Sequence, residues 1–456
     1  MASTNKKPQS IYTHEGAKGK RLTPELELRR SVLSCLLWER EHYEDGEAIA
    51  DRIRHLVHKA HPNFVADLAI GARNDMKLRH VPLWVARNMV RHDTHKHLVG
   101  EVLNTIIQRP DELSEFMAMY WKEGKVPLAA QVKKGLAEAF TKFDAYQLAK
   151  YNRKRDINLK DVLFLSHAKP KDSAQAELWK QLINDTLPVP DTWEVALSVP
   201  GADKKAEWTR LLKERKLGAL ALLRNLRNMT QAGVDEGLIR EALRNVNVSR
   251  VLPFRFIAAA NAAPHLEDAL EELMLKCLTT QEKLPGKTGF LVDVSGSMDW
   301  ALSQKSDLNR MDAACGLAML LREVCEDVAI FSFSADFKRI PPRRGFALRD
   351  AIIKSQPHSS TYLGAAVRAV YGSGRDRFKG SYRGHVTFEG QNLKLDRLVV
   401  LTDEQSHDPV PDPIGKGYMI NVASAKTGVG YGPWTHCDGW SEAIIDWIRE
   451  MEKCGY

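Results

Sequence analysis

The hydrophobic period of this chain changes once, around Leu284-Pro-Gly-Lys-Thr288. From about Leu26 to Thr280 apolar residues recur at helical spacing almost without a break. Beyond that point short apolar runs alternate with helical stretches. A helical period and a strand period need different packing layers, and no single-layer fold satisfies both. The chain therefore reads as two-domain: an all-α front followed by an α/β doubly wound back. The expected divisions are a disordered tail over 1–20, a helical domain over 21–284 and an α/β domain over 285–456.

In the front, the spacing predicts helices from Glu25–Arg40 through Ala129–Phe140, Ala145–Tyr151 and Leu159–Ala168 to Leu266–Leu278, with no strand run among them. Polar, Pro or Gly breaks such as Gly124-Lys-Val-Pro127 and Val199-Pro-Gly201 separate them. Helices paired at roughly 40-residue spacing suit a HEAT-like α-solenoid. The strict repeat signature is absent, so an irregular all-α domain fits the pattern as well. In the back, strands are expected at Lys287–Val294, Val328–Ser334, Arg397–Leu401 and Tyr418–Val422. Helices are expected at Met311–Glu326, Phe346–Lys354, Leu363–Tyr371 and Ser441–Glu452. That alternation predicts a mostly parallel sheet.

The strand run Phe290-Leu-Val292 ends at Asp293, and Ser295 and Ser297 follow at alternate positions, giving D-x-S-x-S. Thr361 stands just before a helical stretch, and Asp403 ends the apolar run Leu398-Val-Val-Leu-Thr-Asp403. These five side chains offer only oxygen and little negative charge, which suits a hard cation such as Mg²⁺ better than zinc. So sparse a set leaves room for waters and for an acidic group from a partner. Both carboxylates fall at strand carboxyl ends, where open α/β sheets bind ligands. The order D-x-S-x-S, Thr, strand-terminal Asp resembles the metal-ion-dependent adhesion site of von Willebrand factor A domains.

Charge divides unevenly. Residues 1–285 carry 45 Lys+Arg against 37 Asp+Glu, residues 286–456 carry 21 of each, and the front holds 11 of the 15 histidines. On charge alone a polyanion-binding face and an ordinary basic surface fit equally. The densest basic stretch is Lys150-Tyr-Asn-Arg-Lys-Arg155, followed by Lys160 and by Leu163-Phe-Leu-Ser-His-Ala-Lys-Pro-Lys171; Lys133 and Lys134 precede it on a helix with an apolar face. Flexible cations beside His167 suit phosphate contacts. The Gly- and Arg-rich segment 372–384, with two aromatics, reads as a solvated loop or an RNA grip.

Several chemistries are not indicated. Cys35, Cys277, Cys315, Cys325, Cys437 and Cys454 form no C-x-x-C pair and sit mostly in apolar helical contexts, which implies a reducing cytoplasm and no structural zinc. No apolar run is long enough to span a membrane, and the polar start lacks a secretory h-region. His92-Asp-Thr-His-Lys-His97 has no distant ligands at metal spacing and is expected to be an exposed loop. Gly286-Lys-Thr288 lacks the rest of a P-loop, and neither a nucleophile elbow nor H-E-x-x-H occurs, so no enzyme is expected.

Asp161-Val-Leu-Phe-Leu-Ser-His-Ala-Lys-Pro170 resembles the D-L-L-R-L-S-H-x-K-P segment of the Ro autoantigen ribonucleoproteins, the TROVE-domain family. Leu217-Gly-Ala-Leu-Ala-Leu-Leu-Arg-Asn-Leu-Arg-Asn-Met229 is similar to that family's M-A-L-L-R-N-L-x-N-M. His80-Val-Pro-Leu-Trp-Val-Ala-Arg87 and Thr13-His-Glu-Gly-Ala17 fit its early part. The resemblance implies a ring of HEAT-like repeats closed by the A domain. It implies small structured Y-like noncoding RNA on a basic outer face and single-stranded RNA 3′ ends in a central hole. It also implies RNA contacts at His167 and Lys160, with Lys133, Lys134, Lys150 and Lys169 as further candidates in the same neighbourhood; Arg224, with Asn225 and Asn228 on the same helix, reads either as lining the hole or as bonding between repeats. Where the family has G-W-S-H-K-D, this chain has Asp156-Ile-Asn-Leu-Lys-Asp161. The chain is shorter than typical animal members, which implies a bacterial or phage-type version. The expected function is an RNA-binding scaffold in RNA quality control or processing, with a nuclease or other processing factor at the A domain. The alternative, from another class, is a metal-dependent protein-interaction adaptor without RNA.

Overall fold

Helix follows helix through the front. Pro24–Ser34 (α1), Gly46–Val57 (α2), Pro62–Asn74 (α3), His80–Met89 (α4), Val99–Ile106 (α5) and Pro110–Tyr120 (α6) come first. Ala130–Phe140 (α7), Ala145–Tyr151 (α8), Leu159–Ser166 (α9), Ser173–Ile183 (α10) and Trp193–Ser198 (α11) follow. Lys204–Lys213 (α12), Ala219–Gln231 (α13), Glu236–Asn245 (α14), Phe254–Ala262 (α15) and Glu267–Leu278 (α16) complete the series. The computed structural model describes residues 12–13, 16–17, 22–34, 46–153, 155–248, 251, 254–278, 283–302, 308–372, 377–378, 386–387, 393–423, 425, 427–439, 444, 448 and 452.

The helices stack next-but-one. α3 packs on α5, α5 on α7 and α7 on α9 in one row; α2 packs on α4 and α4 on α6 in the other. Two such rows are how paired-helix repeats bury an apolar face that no single pair can bury alone. Leu103 of α5, Val132, Leu136 and Phe140 of α7 and Val162 of α9 are all fully buried. Each contributes about 1.5–3 kcal/mol relative to exposure. Gly135 sets how close α5 and α7 come, since a Cβ there would lie 2.7 Å from the Gly100 carbonyl oxygen.

Polar groups inside this stack are tied together. Glu112, the third residue of α6, is fully buried. It accepts from Arg73 Nη2 at 2.8 Å and from the backbone N–H groups of Gln108 at 2.8 Å and Arg109 at 3.1 Å. One carboxylate thus binds two backbone N–H groups at the start of α6 and anchors the buried Arg73 of α3.

The histidine loop is exposed at Asp93, Thr94, Lys96 and His97, as expected, and departs from expectation at His92 and His95. His95 is buried, its Nε2–H donating to the Ala60 carbonyl at 3.2 Å, and His92 packs between the rings of His58 and His95. Among the described residues there is no metal cluster of His, Cys, Asp and Glu. The loop is recruited to close the α3 start, which its polar composition did not advertise. Burial holds both His92 and His95 below the ordinary histidine value of 6.5. The unfolded chain therefore binds more protons below that value, and this contribution to stability, present above it, is lost as pH falls through the lowered values. A urea titration at pH 7.5 and pH 5.5 should show the loss, and His95→Gln should flatten it; an unchanged slope would count against this account.

Beyond Lys283 comes the sheet: Leu284–Asp293 (β1), Cys325–Phe333 (β2), Phe337–Arg339 (β3), Arg377–Phe378 (β4), Val386–Thr387 (β5), Arg397–Thr402 (β6), Lys416–Asn421 (β7) and Thr435–Asp438 (β8). Its helices are Arg310–Glu323 (α17), Gly345–Ile353 (α18) and Leu363–Val370 (α19). The main sheet runs β3-β2-β1-β6-β7-β8, parallel except for β3, while β4 and β5 pair separately. Chain order reverses between β1 and β6, so the switch point of a doubly wound sheet lies there. β6 is buried at every position, as a strand covered on both faces must be.

β3 and β8 were not anticipated. β3 is a three-residue edge, and β8, Thr-His-Cys-Asp, lacks an apolar run and is defined by its pairing with β7. The expected last helix, 441–452, and the segment 372–384 lie largely outside the described residues. Cys315, Cys325 and Cys437 are buried free thiols, and Cys35 and Cys454 lie outside the described residues. Among the described residues no helix is long and apolar enough to cross a membrane.

Compactness divides the chain differently from secondary-structure character. One unit holds the described residues of Pro24–Trp38 and Gly46–Glu207; the other holds those of Met1–Thr23 and Trp208–Tyr456. The second division has a packing cause. α13 stacks on α15 and α14 on α16, and the rows continue as α15 on α17 and α16 on α18. The same unit takes up the chain's early turn. Thr13 Oγ1 donates to the Ser406 carbonyl at 2.9 Å, and Ala17 lies buried with Leu363, Met419 and Trp434.

Candidate functional site

β1 and β6 run side by side, with Val292 opposite Leu401. Their ends therefore bring Asp293 and Asp403 to neighbouring positions at the switch point. Both carboxylates are fully buried. Asp293 Oδ1 accepts from Ser295 N at 2.9 Å and Oδ2 from Thr402 Oγ1 at 2.6 Å. Asp403 Oδ1 accepts from Gln405 N at 3.2 Å. Ser295 leads into a short turn, Gly296–Asp299, that sets its hydroxyl 3.3 Å from that of Ser297.

Two loops hem in this turn. Gly296 N donates to the Ser359 carbonyl at 2.9 Å. The buried Thr361 is clamped to the loop after β6: His407 N donates to the Thr361 carbonyl at 2.9 Å, and Leu363 N donates to Ser406 Oγ at 3.2 Å. Asp408 accepts from Gly364 N at 2.9 Å and Ala365 N at 2.7 Å, capping α19. Gly364 permits this approach, since a Cβ there would lie 2.1 Å from the Pro409 carbonyl oxygen.

Burial, and then the neighbouring Asp403 carboxylate, push the Asp293 carboxyl up to about 7. Two carboxylates sunk together at the end of a sheet favour a positive charge beside them. With hydroxyls as the remaining donors, the set fits a hard divalent cation rather than a softer one.

Two features of this region escaped the sequence reading. Arg310, the first residue of α17, is buried with Nη1 3.8 Å from Asp403 Oδ2. Glu404 is fully buried in a left-handed conformation at φ 60°. It hydrogen-bonds His436 Nε2, whose Nδ1 lies 3.5 Å from Asp438 Oδ2 and whose ring stacks on Tyr431 at 4.0 Å. This relay holds the strained backbone of Glu404 in place. The polar run Glu404-Gln-Ser-His-Asp408 straight after an apolar strand was the available signal.

On the helical side, α7 and α9 pack together, so Lys133 and Lys134 ride beside the helix that carries Lys160 and leads to His167. His167 caps α9 in the left-handed region, φ 55°, with its ring exposed. Lys169 is exposed beside it. Phe164, one turn earlier, is 59% exposed and stands where the TROVE segment has Arg. It was not singled out by sequence, because it reads as one more apolar residue of α9.

Other lysines have acidic company. Lys160 Nζ lies 3.0 Å from Asp185, Lys150 Nζ 3.8 Å from Glu194 and Lys134 Nζ 4.0 Å from Glu138. Lys150 also lines a cleft of about 780 Å³ with Asn152, Arg153, Asp185, Thr192 and Glu194. Such exposed pairs are worth about 0–1 kcal/mol, little enough for a phosphate to displace. Arg224 is exposed on α13, in the second compact unit, while Asn225 and Asn228 bond to each other and Asn225 to Ala221 within that helix.

The TROVE domain model matches residues 31–186 and 184–287, more than half of the 456 residues. The crystal structure of Deinococcus radiodurans RO (RSR) protein superposes with a TM-score of 0.61 at 18% identity, covering 95% of this chain and 100% of that one. Telomerase protein component 1 of Mus musculus is 37% identical over 87 residues, and that of Rattus norvegicus 36%. Those stretches are 18% of this chain and only 3% of each relative's length.

Proposed function

The chain belongs to the TROVE-domain family, whose members bind RNA, and from that premise we propose that it is the scaffold of a ribonucleoprotein. It takes small structured, Y-like noncoding RNA and single-stranded RNA ends, and serves RNA quality control or processing. The observation that carries this reading is the exposed group Phe164, His167 and Lys169 at the end of α9. A flat ring, an imidazole and an ammonium within two turns offer stacking and phosphate contact together. Lys133, Lys134, Lys150 and Lys160 add positive charge from the same compact unit; Arg224 is a separate candidate contact.

In this reading the α/β domain holds one Mg²⁺ through Asp293, Ser295, Ser297, Thr361 and Asp403, directly or through water. The ion supplies a Lewis-acidic position for an acidic residue of a protein partner, such as a nuclease or other processing factor. No catalytic role is assigned to the chain itself, and it works in the cytoplasm.

The test is a pull-down of tagged protein from its own cell extract with RNA sequencing, comparing wild type with His167→Ala/Lys169→Ala. A discrete small RNA should be enriched and then lost in the double variant. With that RNA in vitro, affinity should fall about tenfold or more, and the slope of log K against log salt should shrink by about one for each phosphate contact removed. If neither protein holds RNA above background, the adaptor reading replaces this one.

A further inference from the structure

The metal-facing cluster contains a cation of its own. Arg310 opens α17 behind a capping box: Asn309 Oδ1 accepts from Asp312 N at 2.7 Å, and Asp312 Oδ2 accepts from Asn309 N at 3.1 Å. Its backbone N–H donates to the Trp300 carbonyl at 3.0 Å, which ties the helix start to the loop that carries Ser295 and Ser297. With the backbone fixed at both ends, the side chain is 5% exposed and reaches a carboxylate with no exposure at all. A guanidinium so placed needs anionic company to offset its lost hydration. At 3.8 Å from Asp403 Oδ2 it lies beyond the usual length of an N–H···O bond. It therefore acts on Asp403 through charge.

We propose that Arg310 is a resident counter-cation of the Asp293–Asp403 pair, a specificity residue that holds the metal-free site together and weakens its affinity for divalent ions. The two effects have one cause. A positive charge beside buried carboxylates relieves their mutual repulsion when no ion is bound, and repels the ion that would replace it. The site then exchanges its metal readily instead of retaining it, and a partner that contributes a further carboxylate governs occupancy.

This inference rests on the metal reading above, and the experiment separates the two. Mg²⁺ and Mn²⁺ are titrated calorimetrically into the full chain as wild type, Arg310→Gln and Arg310→Lys, and thermal unfolding is recorded with and without 10 mM Mg²⁺, a concentration on the order of that needed to occupy weak sites. Arg310→Gln should bind Mg²⁺ about tenfold more tightly, the scale expected for removing a unit charge a few ångströms from a divalent ion. Its metal-free form should melt lower than wild type, and Mg²⁺ should close that gap. Arg310→Lys, which keeps the charge, should stay near wild type on both measures. Unchanged or weaker Mg²⁺ binding by Arg310→Gln, with a stability loss that Mg²⁺ does not restore, would overturn the proposal and leave Arg310 a packing contact. Should Arg310→Gln fold only in Mg²⁺, the proposal stands; failure to fold in either condition overturns it. If wild type binds neither ion, the metal reading itself falls.

Discussion

Asp293→Ala is expected to abolish Mg²⁺ binding while leaving RNA affinity within about twofold of wild type, because additivity holds for sites with no shared partners. Asp293 is one of only two carboxylates in the cluster and is fully buried at the end of β1. Outer-shell partners of a metal are already worth about 10–100-fold in affinity, so loss of a charged ligand should exceed about a hundredfold. The same change removes the acceptor of Thr402 Oγ1 and of Ser295 N. Asp293→Asn, which keeps much of that hydrogen bonding, separates charge from shape. Calorimetry with Mg²⁺ and a gel shift with the co-purified RNA read the two functions independently. Equal loss of both in Asp293→Ala would contradict the division of labour between the helical stack and the sheet.

The largest loss of stability is expected from Glu112→Ala. The carboxylate is fully buried and serves Arg73 and two backbone N–H groups at once. Its removal takes the carboxylate from the Arg73 guanidinium, which is 8% exposed and would keep its Nε bond to the Ile106 carbonyl at 2.9 Å. Removing one partner of a buried pair costs about 3–5 kcal/mol, whereas replacing both by apolar residues can be neutral. Urea denaturation followed by hydrogen exchange over α3 to α7 should show early unfolding of that stack in Glu112→Ala. The double variant Arg73→Met/Glu112→Leu should recover part of the loss. A Glu112→Ala protein as stable as wild type would mean that water reaches Arg73 and that the pair is dispensable.

Much of this architecture is legible in the sequence, for physical reasons that also explain what is not. Most front helices were placed within about two residues, because a buried apolar stripe at 3.6-residue spacing has no other use; α8 was placed residue for residue although it buries Leu148 alone. β1, β6 and β7 were visible because strands covered on both faces carry a near-continuous apolar run, here Phe290–Val292, Leu398–Leu401 and Tyr418–Ile420. β8 was not, since its pairing with Tyr418 to Asn421 creates it. Asp293 and Asp403 could be read from their positions at strand ends. Arg310 could not, because nothing local to it indicates that α17 begins beside Asp403. The acidic partners of Lys150 and Lys160 escaped for the same reason, Glu194 and Asp185 being supplied by later elements. Phe164 looked like core, and only the exposure of its ring distinguishes it.

The turn at Thr13 to Ala17 bears on how the protein is made. Its anchor, the Ser406 carbonyl, lies 393 residues further along the chain. At about 5–20 residues per second, the ribosome delivers that anchor about 20–80 seconds after the turn emerges. The stack from α2 to α10 packs each helix on helices near it in sequence and has time to form in that interval. The early turn cannot dock until the sheet exists. The loop that clamps Thr361 thus gains its final contact late, after every intervening element has left the ribosome. A bulky fusion placed just ahead of residue 12 would burden that last step and leave the helical stack untouched.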